Sequence, residues 1–259
     1  MSGKRQPEGE PPPPVVQRLR VRYAKRGRLR FTSHRDFARA LERAIRRAKV
    51  PIAYSAGFSP HPKVSYVGAC PTGVASEAEY LEIGLAESVE PQRLLAALDA
   101  SLPVGLDLVE VVEAQEGSLA ERINCSRWEI ALPRVPVATL TAAVQRFMAV
   151  SEVPVERLTK SGTRTVDARG AVVRVDTRPN RDAVEGECAT LELVVRHVTP
   201  AVRPDDILTG LQSVADLELP EAPRATRLAQ GLLDATGQIA DPLSTIHAAA
   251  RQQTSRSGN

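Results

Sequence analysis

From Arg18 to Tyr23 apolar and polar positions alternate strictly, with Leu19, Val21 and Tyr23 on one face and Arg18, Arg20 and Arg22 on the other. That is the two-residue period of a half-buried strand. Lys25-Arg26-Gly27 interrupts the run, and Leu29 and Phe31 continue it. The period then changes. Phe37, Leu41, Ile45 and Ala48 recur at three- and four-residue spacings, the buried stripe of a helix, while Arg35, Arg39, Arg43, Arg46 and Arg47 fill the rest of the circumference. Thr32-Ser33 ahead of Asp36 makes a capping-box-like start, and Pro51 stops the helix. Residues 52–54 and 64–67 read as short strands on either side of a loop from Ser55 to Lys63. A turn at Pro71-Thr72-Gly73 and an alternating strand over 79–85 follow. Pro91 opens a second helix striped by Leu94, Leu95 and Leu98, and 106–112 closes the unit as a strand.

The order strand, helix, strand, strand, helix, strand predicts an α+β fold of the split βαβ type, a ferredoxin-like (βαββαβ) domain with an antiparallel sheet. Its helices would cover one face, and Arg18, Arg20 and Arg22 would point into the open one. After a linker at Gln115-Glu116-Gly117-Ser118, strands are expected over 123–132, 155–159, 165–176 (broken at Arg169-Gly170), 190–198 and 226–233, with helices over 137–150 and 205–214. This repeats the first order without residue-level similarity, so two ferredoxin-like domains in tandem are expected. The divisions are a disordered Pro-rich leader (1–14), a basic domain (15–115), a second domain (121–235) and a flexible tail (236–259).

Charge sharpens this picture. Residues 15–70 hold fourteen Lys or Arg against two acids, Asp36 and Glu42, whereas the whole chain carries a net charge of only +3. Residues 71–120 are acidic, so the two stretches either neutralise each other or give the domain faces of opposite sign. Cys70, Cys125 and Cys188 are too widely spaced for a disulfide framework or a zinc site. No apolar run is long enough to span a membrane, and the N-terminus lacks a signal-peptide core, so a cytoplasmic protein is expected. Nucleotide loops, dinucleotide fingerprints, nucleophile elbows and zincin motifs do not occur.

Two places could carry chemistry. In the loop G-F-S-P-H-P-K (57–63), two prolines bracket His61, Lys63 follows, and Phe58 either plugs the core or offers a face to a base. The second is His34 at a helix start, beside Arg35, where free amides favour an anion. If His34 and His61 reached one phosphate they could act as base and acid in metal-free RNA cleavage; otherwise they are capping or solvated residues. Arg18, Arg20, Arg22, Arg28, Arg30, Arg35, Arg39 and Lys63 are the candidate nucleic-acid contacts. Glu77, Glu79 and Glu82 could form a metal or acid/base cluster, but Glu79 and Glu82 do not share a strand face and no His joins them, so they read as a solvated edge. The charges among Lys160, Arg164, Asp167, Arg169, Arg174, Asp176 and Arg178 read as a second basic hairpin or as pairs across a sheet. No metal site and no cofactor is expected.

The strings L-R-F-T-S-H-R-D (29–36), Y-S-A-G-F-S-P-H-P-K (54–63) and P-T-G-V-A-S-E-A-E-Y-L-E-I (71–83) resemble those of the bacterial radical-SAM-linked family. That is a domain of unknown function found beside, or fused to, cobalamin-binding radical-SAM proteins. The resemblance covers about 18–115 well and the second half weakly. It implies an accessory protein whose partners are a radical-SAM protein encoded nearby, RNA, and a ribonuclease of the E/G type or the ribosome. It does not imply radical chemistry in this chain, whose cysteines cannot hold an iron–sulfur cluster locally. Paired ferredoxin-like domains also resemble the CRISPR repeat-processing endoribonucleases, the basis of the cleavage alternative. A protein-docking module without RNA contact is the third reading.

Overall fold

The computed structural model describes residues 12–159, 162–180 and 188–244. The first eleven residues of the expected leader, the tail from 245 and Lys160 lie outside the described residues. The fold is mixed α+β, with four α-helices and mostly antiparallel sheet among those residues. The chain divides into two compact units, one ending at Glu121 and taken up again at Leu243, the other running Arg122–Pro242.

In the first unit, β1 (Gln17–Lys25), α1 (His34–Arg47), β2 (Val64–Val67), β3 (Ala75–Leu85), α2 (Pro91–Asp99) and β4 (Leu106–Glu113) follow one another. Strand β1 is flanked by β3 and β4, and β2 pairs with β3, all antiparallel, so the spatial order is β4-β1-β3-β2. The alternation of β1 does what its period requires. Leu19, Val21 and Tyr23 are buried and share one core with Phe37, Leu41 and Ile45 of α1 and Leu94 and Leu98 of α2. Helix α1 begins where the sequence puts it, with the Ser33 hydroxyl accepting the amide of Asp36 at 3.2 Å. Glu90 caps α2 ahead of Pro91, accepting the amides of Gln92 and Arg93.

One expectation fails locally. Leu29 and Phe31 do not prolong the strand: Gly27–Phe31 is a 3-10 helix. Gly27 enters it at φ +53°, a conformation open to glycine at little cost, and the chain turns toward α1 instead of running on. Alternation over five residues does not distinguish a strand from a tight helical turn, and the glycine decides it.

The second unit is built from β5 (Cys125–Pro133), α3 (Val137–Ala149), β6 (Pro154–Thr159), β7 (Gly162–Asp167), β8 (Val172–Pro179), β9 (Cys188–Arg196), α4 (Pro204–Ala215), β10 (Arg224–Leu233) and β11 (Ile239–Ala240). The strand order β10-β5-β9-β8 repeats that of the first unit, again antiparallel. The β6–β7 hairpin is an insertion between α3 and β8, tied to α4 by an Arg157–Asp206 ion pair at 2.7 Å. Beyond residue 236, where a frayed tail is expected, Ile239 and Ala240 still pair with β10. The second-half charges are partly paired across the sheet: Arg178 of β8 reaches both Glu129 of β5 and Glu192 of β9.

Candidate nucleic-acid interface

The arginines of β1 do not form an open cationic face. Register sets their neighbours: Arg20 stands opposite Glu82 of β3, and Arg22 opposite Glu110 of β4. Cross-strand partners of opposite charge are within reach of each other on a pleated sheet. Arg18 Nη1 lies 3.3 Å from Glu82 Oε1, Arg20 Nε 3.2 Å from Glu82 Oε2, and Arg22 Nη2 3.2 Å from Glu110 Oε2. Arg20 is only 1% exposed, because the chain returns over it and the carbonyls of Gln115 and Gly117 accept from its Nη2. It therefore leaves the set of surface contacts. Just past the strand, Arg26 binds Glu77 and Asp107, and the bond to Glu77 holds its guanidinium still more firmly protonated than usual. The acidic stretch thus neutralises the strand cations.

Nor is the glutamate trio a solvated edge. Glu77 and Glu82 are the ion-pair partners just named, and Glu79 is 2% exposed, accepting the Cys70 amide at 2.8 Å and the Ser76 hydroxyl.

The helical cations are placed differently. Arg28, Arg35, Arg39, Arg43 and Lys63 are exposed, and among the described residues no carboxylate lies within ion-pair distance of them. Arg35, Arg39 and Arg43 recur every fourth residue, a row about 12 Å long on one side of α1. Arg30 lies with its guanidinium carbon 5.0 Å from the centroid of the Phe31 ring. Phe31 itself is 61% exposed and Phe58 72%. Phe58 therefore does not plug the core. Phe31 was hidden in the sequence by the alternation that made 27–31 resemble strand; the glycine at 27 was the available signal.

The two candidate histidines sit on different elements, the start of α1 and the loop 55–63, and no hydrogen bond or ring contact joins them. His34 opens α1 and meets Tyr66 of β2 edge-on, with ring centroids 4.7 Å apart. Burial, followed by the charge of Glu42, pushes the Tyr66 hydroxyl up to about 12, which rules it out as a base near neutral pH. His61 is exposed on the loop, its amide donating to Ser55 Oγ at 3.0 Å and its carbonyl accepting from the Ser55 amide at 2.9 Å. The start of α1 is also occupied from within, since the Asp36 carboxylate accepts from Ser33 Oγ at 2.6 Å and takes the place favoured for an anion.

In the second unit a pairing not anticipated from sequence joins Ser126 and His197, with Oγ and Nε2 2.7 Å apart. Desolvation, followed by the charge of Arg227, lowers the His197 pKa to about 4, so the ring is neutral near pH 7. Ser126 is 1% exposed and out of reach of a substrate, which makes the pair structural. Burial also pushes the Cys125 thiol up to about 11. Cys70, Cys125 and Cys188 are buried and form no disulfide. Among the described residues no three His, Cys, Asp or Glu side chains gather as metal ligands, and no helix is long and apolar enough to cross a membrane.

Residues 18–204 match a family model described as an uncharacterised protein conserved in bacteria (DUF2344). No curated protein matches the chain. Among solved structures, the crystal structure of an unknown protein from Galdieria sulphuraria aligns at 12% identity and a TM-score of 0.24, covering 82% of this chain and 98% of that one.

Proposed function

We propose that this chain, which belongs to the DUF2344 family of uncharacterised proteins conserved in bacteria, is an accessory protein that binds RNA through its first unit and presents it to an RNA-modifying or RNA-processing enzyme. One observation carries the reading: Arg28, Arg35, Arg39 and Arg43 stand exposed with no carboxylate within ion-pair distance among the described residues, whereas Arg18, Arg20 and Arg22 of β1 are paired with Glu82 and Glu110. Unneutralised guanidinium groups in a row repel one another, and a polyanion relieves that repulsion while releasing its counterions. The contacts are then Arg28, Arg30, Arg35, Arg39, Arg43 and Lys63. We read both units as ferredoxin-like; their shared strand order of fourth, first, third, second supports this. The strings at 29–36, 54–63 and 71–83 support a radical-SAM enzyme as the partner. No observation favours cleavage by His34 and His61.

The test is a salt titration of RNA binding by the purified chain. Wild type binds with affinity that falls steeply as salt rises, and the triple variant Arg35→Gln, Arg39→Gln, Arg43→Gln lowers the slope of log K against log salt by about 2. Binding that is absent, or insensitive to salt and to the triple variant, would leave a protein-docking module in its place.

A further inference from the structure

We infer that the RNA held by this surface is single-stranded, with unpaired bases stacked on Phe31 and Phe58. The inference rests on the RNA reading above and goes further by naming the form of the ligand.

The chain has only nine Phe, Tyr and Trp residues, and the three that stand exposed, Phe31, Tyr54 and Phe58, all fall within the basic stretch. The other aromatic rings are spent inside: Tyr23 stacks on Phe37 at 4.0 Å, and Phe147, Trp128 and Tyr80 are buried. A single exposed ring is ordinary. Two phenylalanines more than half exposed, in a stretch whose exposed charged groups are all cationic except Asp36, call for an occupant with both an apolar face and negative charge. An unpaired nucleotide has both. A duplex offers phosphates but keeps its bases stacked on each other, so it would leave the rings in water.

The local geometry fits a base platform. Arg30 already lies against Phe31, and a guanidinium plane and an aromatic ring are the two kinds of surface on which bases stack. Phe58 follows Gly57, whose φ of +130° lets the loop turn, and precedes Pro60 and Pro62, which stiffen it. A ring on a stiff loop loses little freedom when a base settles on it.

The experiment compares a labelled mixed-sequence 12-nucleotide RNA, alone and annealed to its complement, on the full chain and on Phe31→Ala, Phe58→Ala and Phe31→Trp. Expected is tighter binding of the single strand by wild type. Each alanine variant loses about ten-fold or more for the single strand and under about two-fold for the duplex, and Phe31→Trp retains wild-type affinity. Both phenylalanines are exposed, so thermal unfolding should stay near wild type. Equal affinity for single strand and duplex, or alanine variants that bind the single strand as wild type does, would overturn the inference while leaving salt-dependent RNA binding intact. Absence of any RNA binding by wild type would overturn both.

Discussion

Strand β1 and helix α1 draw their arginines from the same thirty residues, yet the two sets have opposite fates. A strand inside a sheet has a neighbour on each side at about 4.8 Å, and every second position on those neighbours faces the same way. On β3 and β4 those positions carry Glu82 and Glu110, so Arg18, Arg20 and Arg22 are met as the sheet assembles. The outer side of α1 has no such neighbour. Of its two acids, Asp36 is bonded to Ser33 and Glu42 takes up Arg46 one turn away at 3.6 Å, so neither pairs with Arg35, Arg39 or Arg43. Charge density along the chain therefore overstates the cationic surface in the strand and gives it fairly in the helix.

The largest effect expected from this contrast lies at Arg20. Truncation by Arg20→Ala leaves Glu82 with one partner and strips the carbonyls of Gln115 and Gly117 of theirs, inside a site that is almost fully enclosed. Breaking a buried, hydrogen-bonded charge pair costs about 3 kcal/mol or more. Exposed Arg35→Ala should stay within about 0.5 kcal/mol of wild type. Urea denaturation of both variants decides the matter: equal midpoints would show that Arg20 is no more structural than the helix cations and would break the comparison.

Much of this was legible in the sequence, but not all for the same reason. The faces of β1, the start of α1 at Ser33 and the opening of α2 at Pro91 follow from local spacing and capping, which need no knowledge of the rest of the chain. The burial of Arg20 is of another kind. Alternation says which way a side chain points but not what will lie over it, and here the cover is residues 115–117, about a hundred positions away. Glu79 was misread although its partners are close in sequence: the Cys70 amide, nine residues before it, and the Ser76 hydroxyl, three before it, both turn onto its carboxylate, which alternation alone does not show. The aromatic platform was half legible: Phe58 announced itself between a glycine and a proline, whereas Phe31 sat in an alternating run that imitates strand.

A smaller effect is expected at the helix cap, which belongs to the display side of the comparison. Ser33→Ala removes the acceptor for the Asp36 amide and frees the Asp36 carboxylate from the hydroxyl that holds it. Loss of such a cap costs about 1 kcal/mol. The loss should appear in thermal unfolding. RNA affinity should fall less than in the triple arginine variant, because the row from Arg35 to Arg43 keeps its charge.

The smallest effect belongs to Arg18, the strand arginine whose side chain is 59% exposed. Exposure alone would make it an RNA contact equal to Arg35. Its bond to Glu82 argues otherwise: that carboxylate gives Oε1 to Arg18 and Oε2 to Arg20, so three charges sum to one, and the one left over is buried with Arg20. Seen from solvent, Arg18 is largely cancelled. Arg18→Gln should then change stability by less than about 0.5 kcal/mol, as expected for an exposed pair. The salt slope of RNA binding should be nearly that of wild type, whereas Arg35→Gln lowers it by about 0.7, the contribution of one released counterion on a single strand. If Arg18→Gln and Arg35→Gln flatten the slope alike, the carboxylate does not shield the strand, and the division between the two arginine sets gives way to a single basic face.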